Sequence, residues 1–160
     1  MTTLSKYNEL PYQDREYFLQ VLEFEDNEEK WALYLEILNN PDVNNPDYDI
    51  LAIRVLKILE IAKIPTMFLD DFTDTIIKII EESLDDDIRN FALITSKNFI
   101  NSYKLRDTIN DFLNTQNDNI NLRFNALNAL IHIENKDERI AFLKPFIYDN
   151  ELKKYITEYI

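Results

Sequence analysis

The chain has 160 residues, 46% apolar and 29% charged, and thirty acidic against seventeen basic side chains leave it at −13. It contains no Gly, no Cys and a single His, His132, which excludes phosphate-cradling glycine loops, dinucleotide fingerprints, thiol chemistry, disulfide frameworks and multi-histidine metal sites. So acidic a balance also argues against a general nucleic-acid or anionic-membrane binder, because both require Lys and Arg to replace counterions.

Taken in chain order, the predicted elements are all helical. Residues 1–8 show no apolar leader and no small-residue cleavage site, so no targeting segment is expected and the cytoplasm is the expected location. The longest apolar runs, such as Ile50-Leu51-Ala52-Ile53, fall far short of the ~20 residues that cross a bilayer. Helices are predicted near 12–24, 28–39, 48–64, 67–83, 87–101, 103–115, 119–134, 137–147 and 150–160. The spacing i, i+3, i+4, i+7 carries them: Trp31, Tyr34, Leu35 and Leu38 make one apolar face, and Leu69, Phe72, Ile76, Ile79 and Ile80 another. Pro145 is expected to kink or split the eighth, since its ring removes an amide donor and clashes with the preceding turn.

Asn, Asp and Pro must supply the punctuation that Gly cannot. The eighteen Asn residues include Asn39, Asn40, Asn114, Asn117 and Asn135 at predicted ends, where Asn tolerates the left-handed backbone conformation. Asp85, Asp86 and Asp118 are expected to cap the helices that follow them. Between the second and third helices, residues 39–47 contain Asn-Asn-Pro-Asp twice; the prolines forbid a helix there, and the length suits a surface or binding loop.

Three segments align on an arginine: Ile53-Arg54-Val55-Leu56-Lys57-Ile58, Ile88-Arg89-Asn90-Phe91-Ala92-Leu93 and Leu122-Arg123-Phe124-Asn125-Ala126-Leu127. Each follows an acidic turn and lies between two amphipathic helices. Helix, Asp/Pro-rich turn, then apolar-Arg-x-x-small-apolar resembles the HEAT repeat, over residues 28–64, 67–101 and 103–134. Segment 137–160 looks like a degenerate fourth unit and 12–24 like an N-terminal capping helix. The resemblance implies one all-α domain, a short right-handed α-solenoid of about three to four helix pairs. It also implies a structural ladder in which Arg54, Arg89 and Arg123 pair with turn aspartates, Asp49, Asp85 or Asp86, and Asp118. The first unit departs from the pattern, with Lys57 where the others carry Ala92 and Ala126.

The charge is uneven. Residues 9–49 hold twelve acids against Arg15 and Lys30, a net of −10, and such a field attracts a basic partner. The acids Glu23, Glu25, Asp26, Glu28 and Glu29 are the candidate electrostatic contacts, and Tyr48, like Tyr7 and Tyr12 in a turn-like segment, is a candidate interface aromatic. By the resemblance, the second helices of the units line a concave groove. These segments sum to +4 and the rest of the chain to −17. One of them carries a polar row, Asn121, Asn125, Asn128 and His132, that could recognise a peptide through uncharged hydrogen bonds. His132 has no Ser or Cys nucleophile in a recognisable motif, so no catalytic residue is expected. Carboxylate runs sit at helix starts, where capping accounts for them, and neither a metal nor a cofactor is expected.

The expected function is therefore non-enzymatic protein binding, most concretely an acidic bacterial immunity or inhibitor protein that neutralises a basic toxin such as a nuclease. A scaffold or adaptor HEAT protein is the alternative, and a HEAT-like DNA glycosylase a more distant one, opposed by the charge. The expected partner is another protein with a basic surface, with neither nucleic acid nor membrane, and the chain is expected to be a monomer or weak oligomer.

Overall fold

A computed structural model of the chain describes residues 1–115 and 119–160. Among the described residues the protein is all-helical, with ten α-helices and no strand. These are α1 (Thr3–Glu9), α2 (Tyr12–Glu23), α3 (Glu29–Asn39), α4 (Tyr48–Ile61), α5 (Thr66–Glu82), α6 (Asp86–Thr95), α7 (Tyr103–Asn114), α8 (Ile120–Ile131), α9 (Lys136–Leu143) and α10 (Lys153–Ile156). Short 3-10 turns follow α6 (Ser96–Phe99), α9 (Lys144–Tyr148) and α10 (Thr157–Tyr159).

Local chemistry explains where most of these begin. Asp85 accepts from the amides of Asp87 and Ile88 at 2.9 and 3.0 Å, Ser102 from Leu105 at 3.3 Å and Asn135 from Glu138 at 3.0 Å. Asn119 does the same for α8, receiving the amides of Asn121 and Leu122, while Pro11 and Pro65 stand immediately before α2 and α5. Each cap satisfies donors that the first helical turn leaves without a partner.

The helix ends differ from expectation. No described residue has positive φ, so Asn does not terminate helices through the left-handed conformation. Its side chain bonds back to the preceding turn instead. The Asn39 amide donates to the Leu35 carbonyl, Asn40 to Glu36 and Asn114 to Asn110, at 3.0, 3.0 and 2.9 Å. The backbone leaves the helix in an extended conformation at Thr115, just after Asn114, as it does at Leu10, Ala62 and Ser83, where no Asn ends the helix. A left-handed residue with a β-carbon costs about 1–2 kcal/mol, whereas the side-chain amide adds a second donor to a last-turn carbonyl with no such strain, as at Glu36, which also accepts the Asn40 backbone amide at 3.1 Å. Asn117 lies outside the described residues.

Other boundaries are corrected in the same way. The predicted helix over 48–64 stops at Ile61, and that over 87–101 changes to 3-10 geometry at Ser96, whose hydroxyl donates back to the Ala92 carbonyl at 2.8 Å. Helix α9 ends at Leu143 because Pro145 follows in the first turn of a 3-10 segment. The predicted 150–160 helix keeps one α-helical turn. Helix α1 was not expected. Seven residues form a marginal helix alone, and tertiary contacts hold this one: Tyr7 is buried, and the Glu29 carboxylate takes both the amide and the hydroxyl of Thr3 at 2.7 Å.

Packing follows a regular pattern. Helix α4 packs on α2 and α6, and α6 on α8; α3 packs on α1 and α5, and α5 on α7; α3–α4, α5–α6 and α7–α8 also pack as consecutive pairs. The apolar faces meet between these sets. Trp31 of α3 packs nearly perpendicular to the rings of Tyr34 and Phe72, with centroids 5.9 and 6.2 Å away, and Phe72 continues the contact to the tilted ring of Phe99. Such edge-to-face pairs each contribute about 0.5–1.5 kcal/mol beyond their buried area. Ala92 and Ala126 are fully buried on the neighbouring helices α6 and α8. Lys57, at the matching position of α4, is exposed, and its ammonium lies 4.9 Å from the Phe91 ring.

The end of α4 is clamped by the end of α6. Thr95 donates its buried hydroxyl to the Leu56 carbonyl at 3.0 Å. The Asn98 amide reaches the carbonyls of Leu59 and Glu60, and Lys97 pairs with the Glu60 carboxylate at 2.8 Å. The Leu59 and Glu60 carbonyls belong to the last turn of a helix that has no glycine cap, so the 3-10 turn after α6 supplies donors that local sequence does not.

Candidate functional site

The three repeat arginines are partly buried; Arg54 has a different carboxylate partner from the one expected, while Arg89 stands beside Asp86, one of its two expected partners. Arg54 donates from Nε and Nη2 to one oxygen of Glu16 on α2, at 3.2 and 2.7 Å, rather than to Asp49. Asp49 lies in the first turn of α4, where the helix dipole favours a negative charge. Arg89 stands 3.8 Å from Asp86, one turn back on its own helix, and its guanidinium covers the Phe112 ring at 5.1 Å. Asp85 is occupied as the cap of α6. Arg123 pairs with Asp149 and, at 2.9 Å, with Glu151. Its expected partner Asp118 lies outside the described residues. Asp149 also accepts the amides of Glu151 and Leu152 at 2.9 and 3.0 Å. Burial acts to raise the Asp149 pKa, but the Arg123 hydrogen bond and these two amides outweigh it and hold the carboxyl below its ordinary value.

The five acidic candidates separate into two roles. Glu25, Asp26 and Glu28 are exposed on the connection between α2 and α3, with Glu23 half-buried at the end of α2. Lys30 threads this turn and donates to the carbonyls of Glu23 and Glu25 at 3.1 and 2.8 Å. The turn is thereby shaped through its backbone while its carboxylates face solvent. Glu29 belongs elsewhere: the Thr3 amide, then the Thr3 hydroxyl, hold its carboxyl below the ordinary range, so its task is to anchor α1.

The polar row on α8 divides likewise. Asn121 is exposed, and His132, which ends the helix, is exposed with its ring Nδ1 2.8 Å from the Asn128 carbonyl. Asn128 is half-buried. Asn125 is committed to the fold, donating to the Asn90 side-chain oxygen on α6 at 2.6 Å. A side chain already bonded across two helices has less to offer a partner than the row suggested.

Tyr48 stands at the start of α4 with its hydroxyl donating to the Ile37 carbonyl at 2.7 Å. Burial, followed by the neighbouring Tyr12 and Tyr7, pushes its pKa well up. Its ring lines a cavity of about 550 Å3 between the 39–47 connection and the turn joining α5 to α6. Pro41, Val43, Pro46, Ile79, Leu84 and Ile88 make most of the apolar wall; Asp42, Asp49, Glu82 and Asp85 add carboxylates and Lys78 the one cation of the lining.

Periodicity missed several charged residues that matter. Arg106 is 4% exposed, donating to the Ile100 carbonyl at 2.6 Å and to Glu138 of α9 at 2.7 Å. Tyr103 lies against its guanidinium and donates to the same carboxylate at 2.6 Å, and these bonds, the tyrosine's first, lower the Glu138 pKa. Nothing in the local pattern marks Arg106, Glu16 or Asp149, because their partners lie on other helices. Among the described residues no group of three or more His, Cys, Asp or Glu is placed to hold a metal ion, and no helix is long and apolar enough to cross a membrane. No protein-family model, curated protein or solved structure matches the chain.

Proposed function

We propose that the chain is a short HEAT-like α-solenoid that works as a non-enzymatic protein-binding module, most concretely an inhibitor that neutralises a basic protein toxin such as a nuclease. The observation that carries the reading is the charge asymmetry. Residues 9–49 hold a net −10 of the total −13, and Glu25, Asp26 and Glu28 stand exposed together on one turn. A concentrated field of one sign accelerates encounter with a partner of the other sign and disfavours wrong partners. The solenoid reading is supported by the packing order, in which helices α3 to α6 each touch the helix two places before and two places after. Stacking of that kind builds extended surfaces suited to macromolecular partners.

The test has two arms. A protein captured from cell lysate at moderate salt is purified and its association rate measured at low and high ionic strength. Replacing Glu23, Glu25, Asp26 and Glu28 by Gln or Asn should slow association severalfold and flatten its salt dependence, with a smaller effect on dissociation. Association indifferent to salt and to these replacements refutes the reading. Excision or cleavage of nucleic acid by the purified chain alone would refute the non-enzymatic part.

A further inference from the structure

The cavity beside the 39–47 connection combines two features that rarely meet on an ordinary solvated loop. Its two lips are apolar and stand out in water: Val43 is 87% exposed and Leu84, in the turn between α5 and α6, is fully exposed. Neither position needs an apolar residue for folding, since neither side chain is buried. Behind them the floor is apolar, and Tyr48 offers it no hydroxyl, because that group is spent on the Ile37 carbonyl. The volume of about 550 Å3 falls within the roughly 300–1,000 Å3 range of ligand pockets.

Charge selects the occupant. Asp42, Asp49, Glu82 and Asp85 line the cavity against Lys78 alone. Asp85 is engaged with backbone amides, but among the described residues Asp42, Asp49 and Glu82 form no ion pair. An anionic or purely apolar ligand would leave these carboxylates uncompensated. An apolar side chain seated between Val43 and Leu84, with a Lys or Arg beside it in sequence, would bury apolar surface and meet the carboxylates at once.

We propose that this cavity is the docking pocket for a basic-apolar segment of the partner protein, a Leu-like side chain flanked by Lys or Arg. This deepens the basic-partner reading and rests on it, but it assigns the short-range contact to this pocket rather than to the acidic turn between α2 and α3.

The full-length chain is titrated with three synthetic peptides of equal length, followed by amide NMR. One alternates Leu with Arg, the second has Ala for Leu, and the third has Glu for Arg. The Leu–Arg peptide should shift the amides of Val43, Tyr48, Leu84 and Ile88. Leu84→Asp, and separately the pair Asp42→Lys with Glu82→Lys, should weaken it about tenfold. These are surface positions, and unchanged spectra elsewhere verify that each variant is folded. Equal binding of the Ala or Glu peptide overturns the proposal, as does an absence of shifts with any peptide. Shifts confined to Glu23–Glu28, insensitive to Leu84→Asp, overturn the pocket while leaving the basic-partner reading standing. Salt-indifferent association of the captured protein removes that reading instead.

Discussion

Asp149 gives the sharpest test of how the last helices are held. Its carboxylate takes the amides of Glu151 and Leu152 at 2.9 and 3.0 Å and also the Arg123 guanidinium. Losing the side-chain acceptor of these two turn amides costs about 1 kcal/mol. The charge-assisted bond to Arg123 adds about 1 kcal/mol, after discounting for side chains that remain 15% and 22% exposed. Asp149→Ala should therefore destabilise the protein by about 2 kcal/mol, and Asp149→Asn, which keeps an acceptor for the amides, by about 1. Urea unfolding measures both, as a lower midpoint at constant slope. The pH dependence has a definite sign. The folded carboxyl sits below its unfolded value, so its contribution is present above the ordinary carboxylate range near pH 4 and is lost as pH falls through the folded value. The destabilisation by Asp149→Asn should shrink along the same path. Equal costs for Ala and Asn, or no cost for either, would refute this account of the C-terminal attachment.

The contrast between the arginines supplies a second expectation: Arg89→Met should cost under about 1 kcal/mol, because its ion pair spans 3.8 Å and a methionine can still cover Phe112, whereas Arg123→Met should cost about 2; equal losses in urea unfolding would sink the distinction. Asn98→Ala frees the carbonyls of Leu59 and Glu60 and should cost about 1 kcal/mol, with faster amide exchange confined to the last turn of α4; faster exchange spread evenly over the chain would contradict it. Burial, and for Tyr34 then Glu23 and for Tyr48 then its tyrosine neighbours, holds both phenols well above their ordinary pKa. The stability they lend is complete below pH ~10 and disappears as pH rises through the folded values. Their phenolate absorbance should therefore appear together with loss of helical ellipticity, and ionisation of all nine tyrosines with helicity intact would be the contrary result.

What the sequence alone determined is the local part of this protein. Trp31, Tyr34 and Leu38 recur at helical spacing because one face of α3 must be buried, and all three are. Asp85 was legible as a cap for the same reason, since the donors it satisfies lie within three residues of it, whereas Asn135, read as a left-handed helix end, instead caps the start of α9. With no glycine in the chain, even the choice of Asn at helix ends could be foreseen, though not that its side chain would bond back to the preceding turn while its backbone avoids the left-handed conformation. The partners of the repeat arginines are a different matter. Arg54 meets Glu16 from 38 residues away and Arg123 meets Asp149 from 26, distances across which spacing carries no signal. Helix α1 needed Glu29 to hold it, and Arg106 needed α9 to bring Glu138. The cavity is the clearest case. Val43 and Leu84 belong to separate connections, each reading as an ordinary polar turn with one misplaced apolar residue. Only the packing of α3 and α4 against α5 and α6 sets the two connections face to face, with the carboxylates of both around one apolar hollow.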